Sequence, residues 1–175
     1  MNTSNKIRFV ALSAIIAALY ATVTTLLAPI SFGAFQFRLS EGLSLLAYLM
    51  PEAIPGLAIG CLLANILGGG VLADVIVGSL ATLLAAYFCN RSKSLLISGI
   101  YPVIFNTLMV APVIVYYYMG GGDALAYAGY MGIFSLCEAV SVYAVGVPLA
   151  MGVKRALKIK KPLAGWKKYN RSESE

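Results

Sequence analysis

Histidine is absent from the 175 residues of this chain. Its absence removes Ser–His nucleophile chemistry, zinc-protease motifs and histidine proton relays together. Charge is scarce as well: Asp, Glu, Lys and Arg make up 11% of the residues, and only 7 residues are acidic. The phosphate-loop pattern Gly-x-x-x-x-Gly-Lys-Ser/Thr does not occur, so ATP hydrolysis by that route is excluded. Cys61, Cys89 and Cys137 stand isolated within apolar segments and lack metal-ligand spacing, so they are expected to be small core residues. There is no internal repeat and no low-complexity tract. An enzyme is not indicated, and neither a metal nor a cofactor is expected.

What the chain has in excess is apolar surface. It is 60% hydrophobic, with a mean hydropathy of +0.85, which places it among all-α integral membrane proteins. Six segments can be drawn, at Ile7–Ala28, Leu39–Met50, Ala53–Leu67, Val71–Phe88, Leu95–Tyr118 and Tyr127–Val153. They make one six-helix membrane domain over residues 1–153, followed by a basic tail at 154–175. The first apolar run is about twenty residues, longer than the ~7–15 of a cleavable signal core, and is kept as a span.

The net charge of +6 is distributed by topology. Positives occur as Lys6 and Arg8, then Arg91 and Lys93, then from Lys154 to Arg171. With six spans these clusters fall on one side, which the positive-inside rule makes cytoplasmic, so both termini are expected inside the cell membrane. Contact with lipid head groups, and not with nucleic acid, follows from that arrangement.

The stretch Gln36–Asp74 (QFRLSEGLSLLAYLMPEAIPGLAIGCLLANILGGGVLAD) organises the rest. It holds the single interior arginine, Arg38, with Glu41 and Asp74. Its two apolar pieces, split by Pro51 and Pro55, are too short to cross a ~30 Å hydrocarbon core at ~1.5 Å per residue. Such a hairpin must lean on other helices. Arg38, Glu41, Asn65 and Asp74 are then expected to face a wet cavity open to the outside, because charge in lipid is costly. The non-terminal acids other than Glu52, with Asn65 and Asn106, all fall in the outer half, above an apolar plug. The expected design is an outward-facing ligand pocket without a path through.

Other features fill in that drawing. Ala14–Ala18–Thr22 and Ser13–Ala17–Ala21–Thr25 form two small-residue ladders on the first helix, suited either to packing within the protein or to a partner's helix. Gly56, Gly60, Ala64 and Gly68 form another, which must meet a helix closely. The aromatic loop Ile30–Gln36 should fold down onto lipid or the mouth of the pocket. Gly68–Gly70 predicts a tight turn, with N–H groups either satisfied there or offered to a ligand. Asp74 opens the fourth helix as a capping acid or a site acid. Tyr130, Phe134 and Glu138 share a helix face at spacing four. An aromatic pair ending in a carboxylate suits a flat ligand with donors on one edge; a Glu138 paired with Arg38 is the structural alternative.

These residues resemble the QueT family, substrate-binding S components of energy-coupling factor (ECF) transporters. The resemblance spans essentially the whole chain. It is strongest in QFRLSEGL at Gln36–Leu43, PGLAIGCLLANILGG at Pro55–Gly69 and DVIVGSLATLLAAY at Asp74–Tyr87. It implies a six-helix S component that captures queuosine precursors, 7-deazaguanines, from outside a bacterial cell. It also implies partners: a membrane coupling subunit and two cytoplasmic ATPase subunits, which drive release inside as the loaded S component topples. S components commonly dock the coupling subunit through Ala-x-x-x-Ala on the first helix. Here both Ala14/Ala18 and Ala17/Ala21 fit that pattern.

The chemistry of the residues agrees with such a ligand. A guanine-like edge offers N–H donors to a carboxylate, and the aminomethyl precursor adds an ammonium. Glu41, Asp74 and Glu138 against Arg38 suit a donor-rich or cationic ligand. Asn65, Asn106 and Gln36 supply donors and acceptors, while Tyr130 or Phe134 can stack on the ring. The competing readings are an S component for another vitamin or base, such as a pterin or thiamine, and an autonomous secondary transporter.

Overall fold

In a computed structural model of the chain, residues 3–32 and 36–158 are described; the basic tail beyond Lys158 and the loop aromatic Phe35 lie outside them. The described residues are helical. Four helices are long and apolar enough to cross a membrane: α1 (Thr3–Leu26), α4 (Leu72–Arg91), α5 (Leu95–Tyr118) and α6 (Ala124–Ala156). Two shorter apolar helices, α2 (Leu39–Leu49) and α3 (Ala53–Leu67), lie between α1 and α4. The 20 residues of α4 reach about 30 Å at ~1.5 Å per residue, whereas the 15 of α3 reach only about 22 Å. The two halves of the hairpin are therefore short, as their sequence predicts.

The helices are built inside out relative to a soluble bundle. On α3 the inward face is Gly56, Gly60, Cys61, Ala64 and Asn65, while Ile59, Leu62, Leu63, Ile66 and Leu67 are exposed. On α4, Gly78, Ala81, Thr82, Ala85 and Ala86 point inward, with Leu72, Ile76, Leu80 and Leu83 outward. Large aliphatic side chains gain nothing by leaving lipid for protein, so close approach of small residues is what holds the helices together. Together with the four long apolar helices, this surface makes the chain a membrane protein.

The order of packing is α1 on α3, α3 on α4, α4 on α5 and α5 on α6. The short α2 bridges α1 and α6 and also touches α3 and α4. Its residues from Leu45 to Leu49 are all buried, so it lies at the centre of the bundle. Two glycine crossings make this possible. At the α1–α3 crossing, a Cβ on Gly60 would stand 2.7 Å from the Tyr20 Cβ and 2.9 Å from the Ala17 carbonyl oxygen. At the α2–α6 crossing, a Cβ on Gly146 would stand 2.6 Å from the Gly42 carbonyl oxygen. Here α6 widens into a π-helical turn, Ser141–Gly146, and α2 begins as a 3-10 helix over Leu39–Leu45.

The glycine ladder of α3 thus packs on α1, and the partner face is the Ser13–Ala17–Ala21 ladder, where Ser13, Ala17 and Ala21 are buried. Ala14, Ala18 and Thr22 are exposed. Boundaries shift modestly from expectation. α6 starts at Ala124 and not Tyr127, because the Asp123 carboxylate caps it by accepting from the Ala126 N–H at 2.9 Å. α4 runs on to Arg91, which sits in its last turn with its guanidinium 4.5 Å from the Tyr87 ring centre. In α5, Pro102 cannot bond the Ser98 carbonyl, and the Cys89 thiol donates to that oxygen at 3.1 Å.

The crossing at Gly60 yields a stability test. Overpacking costs ~1–3 kcal/mol, and each kcal/mol is worth ~2–4 °C at this size. Gly60→Ala is expected to lower the melting temperature in detergent by several degrees. Gly132→Ala should be neutral or stabilising, since a Cβ there meets nothing within 4 Å. Equal effects of the two substitutions would contradict the close α1–α3 crossing.

Candidate functional site

The polar side chains of the interior converge from every helix. Residues Gln36 and Arg38 lead into α2 and Glu41 lies in its first turn; Asn65 is in the last turn of α3 and Asp74 in the first of α4. Asn106 comes from the middle of α5, and Tyr130, Phe134 and Glu138 from α6. All nine are buried, from 0% exposure for Asn65 and Asp74 to 7% for Tyr130. Arg38 lies within electrostatic reach of Asp74, Glu41, Tyr130 and Glu138. Direct contacts join the sequence-predicted residues in groups: Arg38 with Asp74, Asn65 with the Asp74 backbone, Asn106 with Glu138 and Tyr130 with Phe134. Each of these side chains is buried in this structure.

The turn between α3 and α4 sets one wall. Gly69 has φ 72°, the Gly70 N–H donates to the Asn65 carbonyl at 2.9 Å and the Gly69 N–H to the Ile66 carbonyl at 3.2 Å. This pairing is a Schellman motif, which requires a residue in the left-handed region. The glycine N–H groups are thus used within the turn, and the alternative in which they serve a ligand is set aside. The Asn65 amide donates to the Asp74 backbone carbonyl at 3.3 Å. A Cβ on Gly78 would stand 2.9 Å from that amide nitrogen, so glycine there leaves the room Asn65 occupies.

Arg38 faces Asp74, with Nη2 3.6 Å from Oδ2, and not Glu138. Its Nε donates to the Ser31 carbonyl at 3.4 Å. The Phe32 ring lies over the guanidinium, 5.1 Å from centre to Cζ, and also packs on Gly68. The aromatic loop has folded down over the cluster at this residue. Gln36, next to it, is held at φ 43°, a left-handed conformation uncommon for a residue with a side chain. Backbone strain of that kind persists where surrounding contacts enforce it.

The other two acids are satisfied separately. Glu138 accepts from the Asn106 amide at 2.6 Å. Glu41 accepts from the Tyr20 hydroxyl and from the Ser44 hydroxyl at 3.1 Å. Tyr20 and Ser44 were not among the sequence candidates. Tyr20 carried a signal: its hydroxyl lies in the middle of an apolar helix, where it must find a buried partner.

Among the described residues, eight buried side-chain atoms have no hydrogen-bond partner: both carboxylate oxygens of Asp74, Asn65 Oδ1, Gln36 Oε1, Arg38 Nη2 and the hydroxyls of Ser31, Thr107 and Tyr130. Buried polar groups are normally paired, and each exception costs ~1–3 kcal/mol. Four of these eight atoms, those of Asp74, Asn65 and Gln36, are acceptors only. The cluster also sets three carboxyl groups against one guanidinium. Both features call for a partner rich in N–H donors, and the Tyr130 and Phe134 rings, 6.1 Å apart and tilted by 38°, add an aromatic wall.

Comparison with known proteins agrees in kind. The model of the QueT transporter family matches residues 10–155. A relative described as the queuosine precursor transporter QueT of Lactococcus lactis subsp. cremoris is 46% identical over 72 residues, which is 40% of this chain and 42% of that relative. No solved structure matches the chain.

The Arg38–Asp74 pair can be tested without any ligand. Removing one member of a buried pair costs ~3–5 kcal/mol, because the other is left uncompensated. Arg38→Met should therefore lower the melting temperature by roughly 10 °C. Adding Asp74→Asn should recover a large part of that loss. Losses that simply add in the double variant would show that the two charges do not interact.

Proposed function

The chain belongs to the QueT transporter family, and from that membership we propose that it is the membrane-embedded binding subunit of an energy-coupling factor transporter for queuosine precursors. The ligand is a 7-deazaguanine, in the aminomethyl or cyano form or as queuine. The printed description of the relative supports the substrate class. The observation that carries the reading is the unpartnered, acceptor-rich set around Asp74 inside an apolar bundle. A 7-deazaguanine presents N–H donors along one edge and a flat ring for Tyr130 and Phe134. The family resemblance supports the rest: six membrane segments in a bacterial cell membrane, both termini cytoplasmic, a pocket filled from outside, and residues 154–175 as a cytoplasmic tail.

Within that reading Glu138, with its aromatic neighbours, takes the guanine edge, and Asp74 takes the group on position 7. Arg38 balances Asp74 and can donate to the ring carbonyl oxygen. Asn65, Asn106 and Gln36 complete the hydrogen bonding, and Glu41 is held in place by Tyr20 and Ser44. Transport is completed by a membrane coupling subunit and two cytoplasmic ATPase subunits. Ala14 and Ala18 are the docking residues. They face outward, whereas Ala17 and Ala21, which fit the same spacing, are buried against α3. The outward face is small at Ala11, Ala14 and Ala18, so a partner helix can approach its backbone.

Titration of the detergent-purified chain with the aminomethyl and cyano compounds tests the ligand assignment. Glu138→Gln is expected to weaken both by about ten- to a hundredfold, the worth of a charge-assisted hydrogen bond at ~1.5–3 kcal/mol. Asp74→Asn should weaken the aminomethyl compound and spare the nitrile. Equal losses for the two ligands in Asp74→Asn would overturn the assignment, and no binding by the unaltered chain would overturn the ligand class. Docking is tested by Ala18→Leu, which should leave ligand affinity unchanged while uptake and co-purification of the coupling subunit fall. Loss of ligand binding in that variant would place Ala18 in internal packing instead.

A further inference from the structure

Tyr20 is fully buried and belongs to α1, away from the segments that supply the proposed ligand contacts. Its ring is fixed by packing at the glycine crossing, where the space over Gly60 is filled by the Tyr20 Cβ. One turn further on, Thr24 Oγ1 donates to the Tyr20 carbonyl at 2.8 Å and lies 2.7 Å from Ser40 Oγ in a second hydrogen bond. These contacts set α1 in register with the start of α2. The hydroxyl of Tyr20 is thereby aimed at one Glu41 oxygen, while Ser44 donates to the other.

The consequence concerns Arg38. Arg38 stands one 3-10 turn before Glu41, whose N–H donates to the Arg38 carbonyl at 3.1 Å. The guanidinium stands 3.6 Å from the Asp74 carboxylate; within the described residues neither the Asp74 oxygens nor Arg38 Nη2 has a hydrogen-bond partner at normal distance. Glu41 does not draw it away because two neutral hydroxyl donors already satisfy that carboxylate. We infer that Tyr20 is a positioning residue: by satisfying Glu41 it leaves Arg38 to Asp74, and so sets how far the site discriminates between a cationic and an uncharged 7-deazaguanine. This inference rests on the ligand reading proposed above.

The chain of cause runs through one hydroxyl. Without it, Glu41 Oε1 becomes a buried acceptor lacking a donor, and Arg38 Nη2, which has no hydrogen-bond partner among the described residues, has the capacity to serve it. Arg38 moves towards Glu41. Asp74 is then no longer offset by a cation, and an ammonium on the ligand gains relative to a neutral group in the same position.

The test is the ratio of nitrile to aminomethyl dissociation constants in the full-length protein in detergent. Tyr20→Phe keeps the ring and removes the hydroxyl, and should shift the ratio towards the aminomethyl compound by about tenfold or more, the scale of a charged hydrogen bond. Adding Glu41→Gln removes the competing charge and should return the ratio to its original value. Ser44→Ala, which strips the other Glu41 oxygen, should shift the ratio in the same direction and serves if Tyr20→Phe does not fold. An unchanged ratio in both single variants, or a shift that persists after Glu41→Gln, overturns the inference. Failure of the unaltered protein to bind either compound would instead overturn the ligand reading on which it depends.

Discussion

Arg38 is held inside an apolar bundle, and the cost of burying a guanidinium governs what surrounds it. In hydrocarbon or packed protein such a charge persists only beside an opposite one. Asp74 supplies it, 3.6 Å away, from the first turn of α4. That turn can be there because Gly69 takes a left-handed conformation and α3 is too short to carry the chain across a membrane. Phe32 covers the guanidinium from above. The glycine turn, the short hairpin and the aromatic loop each follow from keeping this one cation paired and covered.

The pairing would be ambiguous if the other acids competed freely. They are answered by separate neutral donors: Asn106 for Glu138, and Tyr20 with Ser44 for Glu41. The result is a division of labour among three carboxyl groups at close quarters. Two have hydrogen-bond donors from the protein, and the third, Asp74, has its ion pair with Arg38 but no hydrogen-bond donor among the described residues. A protein that merely needed a stable interior would not leave the last in that condition. In the proposed reading, acceptors without hydrogen-bond donors are where a donor-rich ligand gains its affinity, since it replaces no existing bond.

Small residues make the cluster possible. α2 sits at the centre because Gly42 and Gly146 let two backbones meet, and α6 widens by a π-helical turn at the same level. Insertions of that kind inside helices are frequent at functional sites. Glu138 lies one turn before it, so the irregularity that admits α2 also orients the carboxylate. On the opposite side, Gly60 admits Tyr20. The same economy leaves the large aliphatic side chains for the lipid-facing surface.

Much of this was legible from residue order. Hydropathy and length distinguish the four long helices from the two short ones, because both depend only on local composition. The Gly56–Gly60–Ala64 ladder announced a close crossing, and Gln36, Arg38, Asn65, Asp74 and Glu138 stood out because polar groups are expensive in an apolar chain. Sequence spacing could not decide which polar group meets which. Arg38 is 36 positions from Asp74 and 100 from Glu138, and only the fold brings it to the first. Nor could spacing separate Ala14–Ala18 from Ala17–Ala21, which differ by about 60° around one helix; the α3 glycine face selects the second pair for burial. Tyr20 was missed for the same reason, since its partner lies 21 positions away on another helix. Local composition determined what kind of protein this is and which residues are costly enough to matter. The pairing of those residues was decided by tertiary contacts, because a hydrogen bond depends on distances of a few ångströms that the order of residues along the chain does not contain.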